Sequence, residues 1–177
     1  MIGLLAAIVV LASPQAPPRP QWTKGSDVVM NSTIEDKVVA IARRYHKKGR
    51  RPLHVTSGVR PPPRQAAAMY GKLRAGGSLG IYAQQELIKP IRDAYRLGRK
   101  KRWSKARTIA AMTEVIEGQV SRGHLLSRHL SGRAFDLRSV GLGRRDKRAL
   151  IAAIRGVDGL RVNEESRPPH FHLEVTD

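Results

Sequence analysis

The sequence predicts an α+β domain, a small antiparallel sheet with helices packed around it. Three observations point there. Amphipathic helical stretches and short apolar strands alternate irregularly, without the steady strand–helix rhythm of a parallel sheet. No internal repeat is present. The chain has 177 residues, 41% of them hydrophobic, enough for one domain with a buried core.

The elements follow in chain order. The opening run MIGLLAAIVVLA is apolar. A spanning helix needs about 20 residues, so this run is too short to form a stable membrane span. Residues 1–16 read as an export signal or apolar leader, which places the expected location outside the cytoplasm, in periplasm, cell wall or medium. SPQAPPRPQ is extended and Pro-rich, and residues 17–27 read as a linker. The domain proper is expected over 28–177.

Residues 32–46 read as a helix. Ser32 and Glu35 have capping-box spacing, and Ile34, Val38, Ile41, Ala42 and Tyr45 form an apolar stripe. Gly49 is the expected stop. LHVTS, residues 53–57, reads as a strand. GVRPPPRQ reads as a loop, because three consecutive prolines fit neither a helix interior nor a central strand. A helix over 64–74 follows, and RAGGSLG breaks the chain. Residues 82–97 read as a helix with Pro90 as a kink or boundary, LGRKKRWSKAR as a basic loop, and 106–119 as a helix. AFDLR reads as a strand, and 144–155 as a helix with Leu150, Ile151 and Ile154 on its apolar side. LRVN and FHLEV close the chain as paired strands.

Charge and cysteine content bound the function. There is no cysteine, so neither a disulfide nor a thiolate is available. The formal net charge is +19, from 33 Lys+Arg against 14 Asp+Glu, and such a surface attracts polyanions. Lys89 to Arg107 holds nine Lys+Arg and one acid, with Tyr95 and Trp103 among them. No nucleic-acid motif accompanies this stretch, so a solvated face or a docking surface for anionic envelope polymers is the more economical account than nucleic acid. A monomer is expected.

The chemistry concentrates in two short stretches. SRHLSGRAFDLR, residues 127–138, holds His129 and Asp136 seven positions apart. On one helix they would lie about 10 Å apart along the axis, and on one strand about 23 Å apart on opposite faces. Neither lets both reach one ion, whereas a turn at Gly132 does, with Ala134 leaving room nearby. In PPHFHLEV, His170 and His172 are two apart on a strand and face one side, as does Glu174. Phe171 points to the core. Two histidines and a carboxylate from distant segments suit zinc, with a fourth position left open. His46 and His54 read as structural, and His124 as structural or lining the same region.

These residues carry a resemblance. Ser127-x-His129-x-x-Gly132-x-Ala134-x-Asp136 matches the S-x-H-x-x-G-x-A-x-D signature of the D-alanyl-D-alanine metallopeptidases, grouped with lysostaphin-type enzymes and the hedgehog signalling domain. His170-Phe171-His172 resembles the H-x-H that closes the site in part of that group. Thr56-Ser57-Gly58-Val59-Arg60 resembles its upstream S-G-Y-R, with valine for tyrosine. The matches follow the family's order and cover residues 56–175.

The resemblance implies a hedgehog/DD-peptidase-like fold and one zinc ion held by His129, Asp136 and His172. It implies that His170 stands beside the metal as a catalytic group. Arg60 would anchor a substrate carboxylate or stabilise an oxyanion, and Ser127 would hydrogen-bond substrate. The implied activity is hydrolysis of peptide bonds in peptidoglycan stem peptides or cross-links, of carboxypeptidase or endopeptidase type. Carboxypeptidases of the group carry a glutamate base three residues before the last zinc histidine. Pro169 stands there in this chain, so the endopeptidase-like H-x-H arrangement matches better, with His170 as base and Glu165 as the alternative. A non-catalytic module on the same fold, binding cell wall or polyanions, is the second reading.

Overall fold

The computed structural model describes residues 22–46 and 51–176. The leader read at 1–16, residues 17–21 of the linker and Gly49 lie outside them. The elements are β1 (Trp22–Lys24), α1 (Ser32–His46), β2 (Leu53–Ser57), α2 (Pro62–Arg74), α3 (Gln85–Lys100), α4 (Lys105–Val120), β3 (Ala134–Arg138), α5 (Arg144–Arg155), β4 (Leu160–Ser166) and β5 (Pro169–Val175). The strands form one sheet in the order β1-β2-β3-β5-β4. The class is α+β, as expected.

The sheet is mixed rather than wholly antiparallel. β1, within the stretch read as linker, runs parallel to β2, and the other pairings are antiparallel. A three-residue strand carries too little alternation to announce itself among prolines.

Period-two alternation gives the sheet two unlike faces. Val55, Phe135, Leu137, Phe171 and Leu173 are buried on one face, against Ile34, Val38 and Ile41 of α1 and Leu150 and Ile154 of α5. Each such fully buried side chain contributes about 1.5–3 kcal/mol. The opposite face carries Asp136 and Arg138 of β3, His170, His172 and Glu174 of β5, and Arg161, Asn163 and Glu165 of β4, as the strand register requires. A second apolar cluster joins α2, α3 and α4 through Ala66, Met69, Ile88, Ile91, Met112 and Ile116. A cleft of about 1350 Å³ separates the polar sheet face from this helical cluster.

Several boundaries differ from the sequence reading. Pro62 and Pro63 are the first residues of α2, with Pro61 at the N-cap. The first-turn amides of a helix have no intrahelical acceptor, so prolines are tolerated there. α3 starts at Gln85, runs through Pro90 and reaches Lys100, so part of the basic stretch read as loop is helical. Arg99 and Lys100 in its last turn suit the negative end of the helix dipole. β4 extends to Ser166, beyond LRVN. Among the described residues no helix is long and apolar enough to cross a membrane.

The cap of α1 is Asn31, one residue before the expected Ser32. Its Oδ1 accepts from the Ile34 amide at 3.0 Å. Its Nδ2 donates to the Gly132 carbonyl at 3.0 Å, tying the start of α1 to the turn before β3. Asn31→Ala should therefore cost about 1–2 kcal/mol in urea unfolding. Asn31→Asp, which keeps the acceptor and drops the donor, should recover part of that loss. Equal midpoints for all three proteins would contradict the assignment.

Candidate metal centre

The turn before β3 is built by short backbone bonds. Leu130 N donates to Ser127 O at 3.0 Å, Gly132 N to His129 O at 3.3 Å, and Arg133 N to Arg128 O at 2.8 Å. Gly132 has φ +67°, where side chains are strained, and a Cβ there would stand 2.8 Å from Asn31 Nδ2. The chain thus doubles back, and β3 sets Asp136 beneath His129. Register does the rest, because Asp136 pairs with His172 across β3 and β5.

Three ligand atoms converge. His129 Nε2 lies 3.3 Å from His172 Nδ1 and 3.3 Å from Asp136 Oδ1. His172 Nδ1 lies 2.9 Å from Asp136 Oδ1. A tetrahedral ion with bonds of about 2.0–2.1 Å has ligand separations of about 3.3 Å.

Each ligand is also held from behind. His129 Nδ1 donates to the Gly58 carbonyl at 2.7 Å. A carbonyl only accepts, so the proton of the neutral ring sits on Nδ1 and the Nε2 lone pair faces the centre. His172 Nε2 lies 3.5 Å from Glu174 Oε1, which turns Nδ1 inward. Asp136 Oδ2 accepts from Arg60 Nη2, leaving Oδ1 for the centre. Such outer partners orient metal-binding side chains. The described residues therefore contain a buried His/Asp group that fits a metal ion.

The electrostatics agree. Burial opposes ionisation of Asp136, but His129 and His172 beside its Oδ1 and the Arg60 charge at its Oδ2 prevail and hold its carboxyl well below the usual range. Burial pushes His129 down, only partly offset by Asp136, which favours its neutral, ligating form. Burial lowers His172 too, but the hydrogen bond and charge of Asp136, with Glu165 and Glu174 beyond, raise it overall.

The other expected site residues gather around this centre. Arg60 lines the cleft, but its guanidinium is engaged by Asp136 Oδ2 and by Ser57 Oγ. Its amide donates to His129 O at 3.0 Å. The Ser57–Arg60 segment is thus a bracket for both His129 and Asp136. A Cβ at Gly58 would collide with the Val29 carbonyl oxygen, so glycine is needed for that approach. Ser127 is buried, lines the cleft, and accepts from the His129 amide at 3.3 Å.

His170 Nε2 stands 3.7 Å from Asp136 Oδ1 and 3.9 Å from Glu165 Oε1. Glu165 is ion-paired with Lys72 of α2, both side chains being largely buried. Glu165, His170 and His172 form a second group with ligand atoms close together, sharing His172 with the first. Phe171 is fully buried in the core. His54 lies on β2 with Nδ1 2.8 Å from Thr23 Oγ1. His124 is exposed and does not line the cleft, and His46 lies at the end of α1.

Sequence reasoning missed Lys72, Gly58 and Asn31. Lys72 gives no local sign, being one lysine among many on an amphipathic helix. Gly58 sits inside the T-S-G-V-R stretch, where its carbonyl rather than its flexibility matters. Compared with protein-family models, curated proteins and solved structures, the chain matches none.

Adding zinc to metal-stripped protein should raise Tm, because the ion binds the folded state preferentially. His172→Ala should abolish that rise and leave less than stoichiometric metal by elemental analysis. Protons compete for the same lone pairs. With His172 raised, loading should be complete above its shifted pKa and fall as pH drops through it, by about tenfold per pH unit for one released proton. Metal content that is flat from neutral to acidic pH would contradict this ligand set.

Proposed function

We propose that the chain is an extracytoplasmic zinc peptidase that hydrolyses peptide bonds of peptidoglycan stem peptides or cross-links, as its resemblance to the D-alanyl-D-alanine metallopeptidases implies. The observation that carries this reading is the convergence of His129 Nε2, Asp136 Oδ1 and His172 Nδ1 at the floor of an open cleft. These three residues would hold a zinc ion, which when bound would polarise a carbonyl oxygen and lower the pKa of water.

The chain's own groups supply the proton traffic. His170 Nδ1 donates to the Pro168 carbonyl at 2.7 Å, so the neutral ring keeps its Nε2 lone pair toward the site. When water adds its oxygen to the scissile carbonyl carbon, one proton passes to that nitrogen. The same proton leaves with the amine as the C–N bond breaks. In between, the ring that carries it stands 3.7 Å from Asp136 Oδ1 and 3.9 Å from Glu165 Oε1. Glu165 is already paired with Lys72, which makes His170 the better base of the two. Arg60 adds positive charge close to where the oxyanion develops, and Ser127 on the cleft wall serves substrate by hydrogen bonding.

The zinc-loaded chain should convert cross-linked muropeptides into products with new amine and carboxyl ends, read by mass spectrometry. Unchanged muropeptides would reject the reading. Salt-sensitive binding without cleavage would point instead to the non-catalytic module. His170→Ala should retain stoichiometric metal yet lower kcat by about a hundred- to ten-thousandfold. Loss of metal in that variant would make His170 a ligand rather than a base.

A further inference from the structure

The cleft's charges do not balance. Of the acidic side chains that line it, Asp136 is ion-paired with Arg60 and Glu165 with Lys72, and Glu174 Oε1 stands 3.5 Å from His172 Nε2. Arg128, Arg138 and Arg161 also line the cleft and have no acidic partner among the described residues. An ion at the metal centre adds further positive charge. All three arginines are exposed along the cleft, so an anionic ligand lying in it would meet guanidinium groups free to pair with it, which a neutral one would not use.

Their placement is as informative as their sign. Along the polar face of β5 the order is His170, His172, Glu174, with the metal centre at His172. Arg138 pairs in register with His170, at one end of this row. Arg161 pairs with Glu174, at the other end. Arg128 belongs to that second end too, since its carbonyl accepts from Arg133, next to Ala134, which pairs with Glu174. Four strand residues span roughly 13 Å, the length of about four residues of an extended peptide.

We propose, building on the peptidase reading above, that the substrate is an extended peptide with carboxylates on both sides of the cut bond. These lie about two residues out in each direction and are held by Arg138 at one end and by Arg161 with Arg128 at the other. The bond cut is therefore internal to the peptide rather than its last. Arg138 and Arg161 select the substrate and take no part in proton transfer.

The test compares native cross-linked muropeptides with the same pool after carbodiimide-mediated amidation, which removes charge at nearly constant size. Binding to zinc-loaded His170→Ala chain is measured by calorimetry, and cleavage by the unsubstituted chain is measured in parallel. Amidation should weaken binding by about tenfold or more across several contacts. Arg138→Gln and Arg161→Gln should each raise KM about three- to fivefold, with kcat within about twofold and zinc content unchanged. Equal binding of both pools, binding of neither, or unchanged KM in both variants would overturn the proposal. Release of single C-terminal residues only would overturn its internal-bond part. Charge-dependent binding with no cleavage would sink the peptidase reading and leave the anion selectivity standing.

Discussion

Three electron-pair donors turned toward one point repel each other, and much of this structure exists to hold them there. His129, Asp136 and His172 are each gripped on the far side, by the Gly58 carbonyl, Arg60 and Glu174 respectively. With the outward-facing polar atoms engaged, the three inward atoms lie within 3.3 Å of one another, with His170 Nε2 next at 3.7 Å from Asp136 Oδ1. Only a proton or a cation relieves that arrangement. An apolar replacement would satisfy the fold more cheaply, since buried ionisable groups cost free energy unless they are fully paired. The three residues form a group that could hold a metal ion.

The sheet makes this possible through its alternation. Phe135, Leu137, Phe171 and Leu173 bury one face against α1 and α5, so Asp136, His170 and His172, the residues between or beside them, must emerge on the other. The apolar residues thus specify the register, and the register brings Asp136 and His172 side by side. A slip of one residue would send both histidines into the core. The α2–α4 cluster packs separately and contributes a wall, with Lys72 reaching across to Glu165. Cleft shape therefore depends on how two apolar clusters sit against each other, while ligand geometry depends on the sheet cluster and the 127–132 turn.

The T-S-G-V-R stretch illustrates how one segment can serve two ends. Read as a sequence, Arg60 is a cation aimed at substrate. In the structure it also locks the Asp136 carboxylate, and its backbone fastens His129. A residue so placed joins the candidate metal centre to the cleft, so changes at Arg60 act on both at once.

The sequence by itself determined the α+β class, most helices and strands, and the identity of the converging side chains. Periodicity and the spacing around Gly132 are local properties, and they survive without knowledge of the rest of the chain. It did not reveal β1, the Asn31 cap in place of Ser32, or the prolines at the head of α2. Those choices turn on which neighbour an amide meets: β1 exists because β2 offers it an edge, and Asn31 caps α1 because Gly132 lies within reach of its amide nitrogen. Tertiary structure alone decided that Lys72 neutralises Glu165, that Gly58 orients His129, and that Arg138 and Arg161 stand at opposite ends of the His170–Glu174 row. Each of these joins residues far apart in sequence, and the physical reason is the same throughout. Short-range spacing encodes which side chains share a face, whereas charge pairing and lone-pair direction depend on partners that only the folded chain brings near.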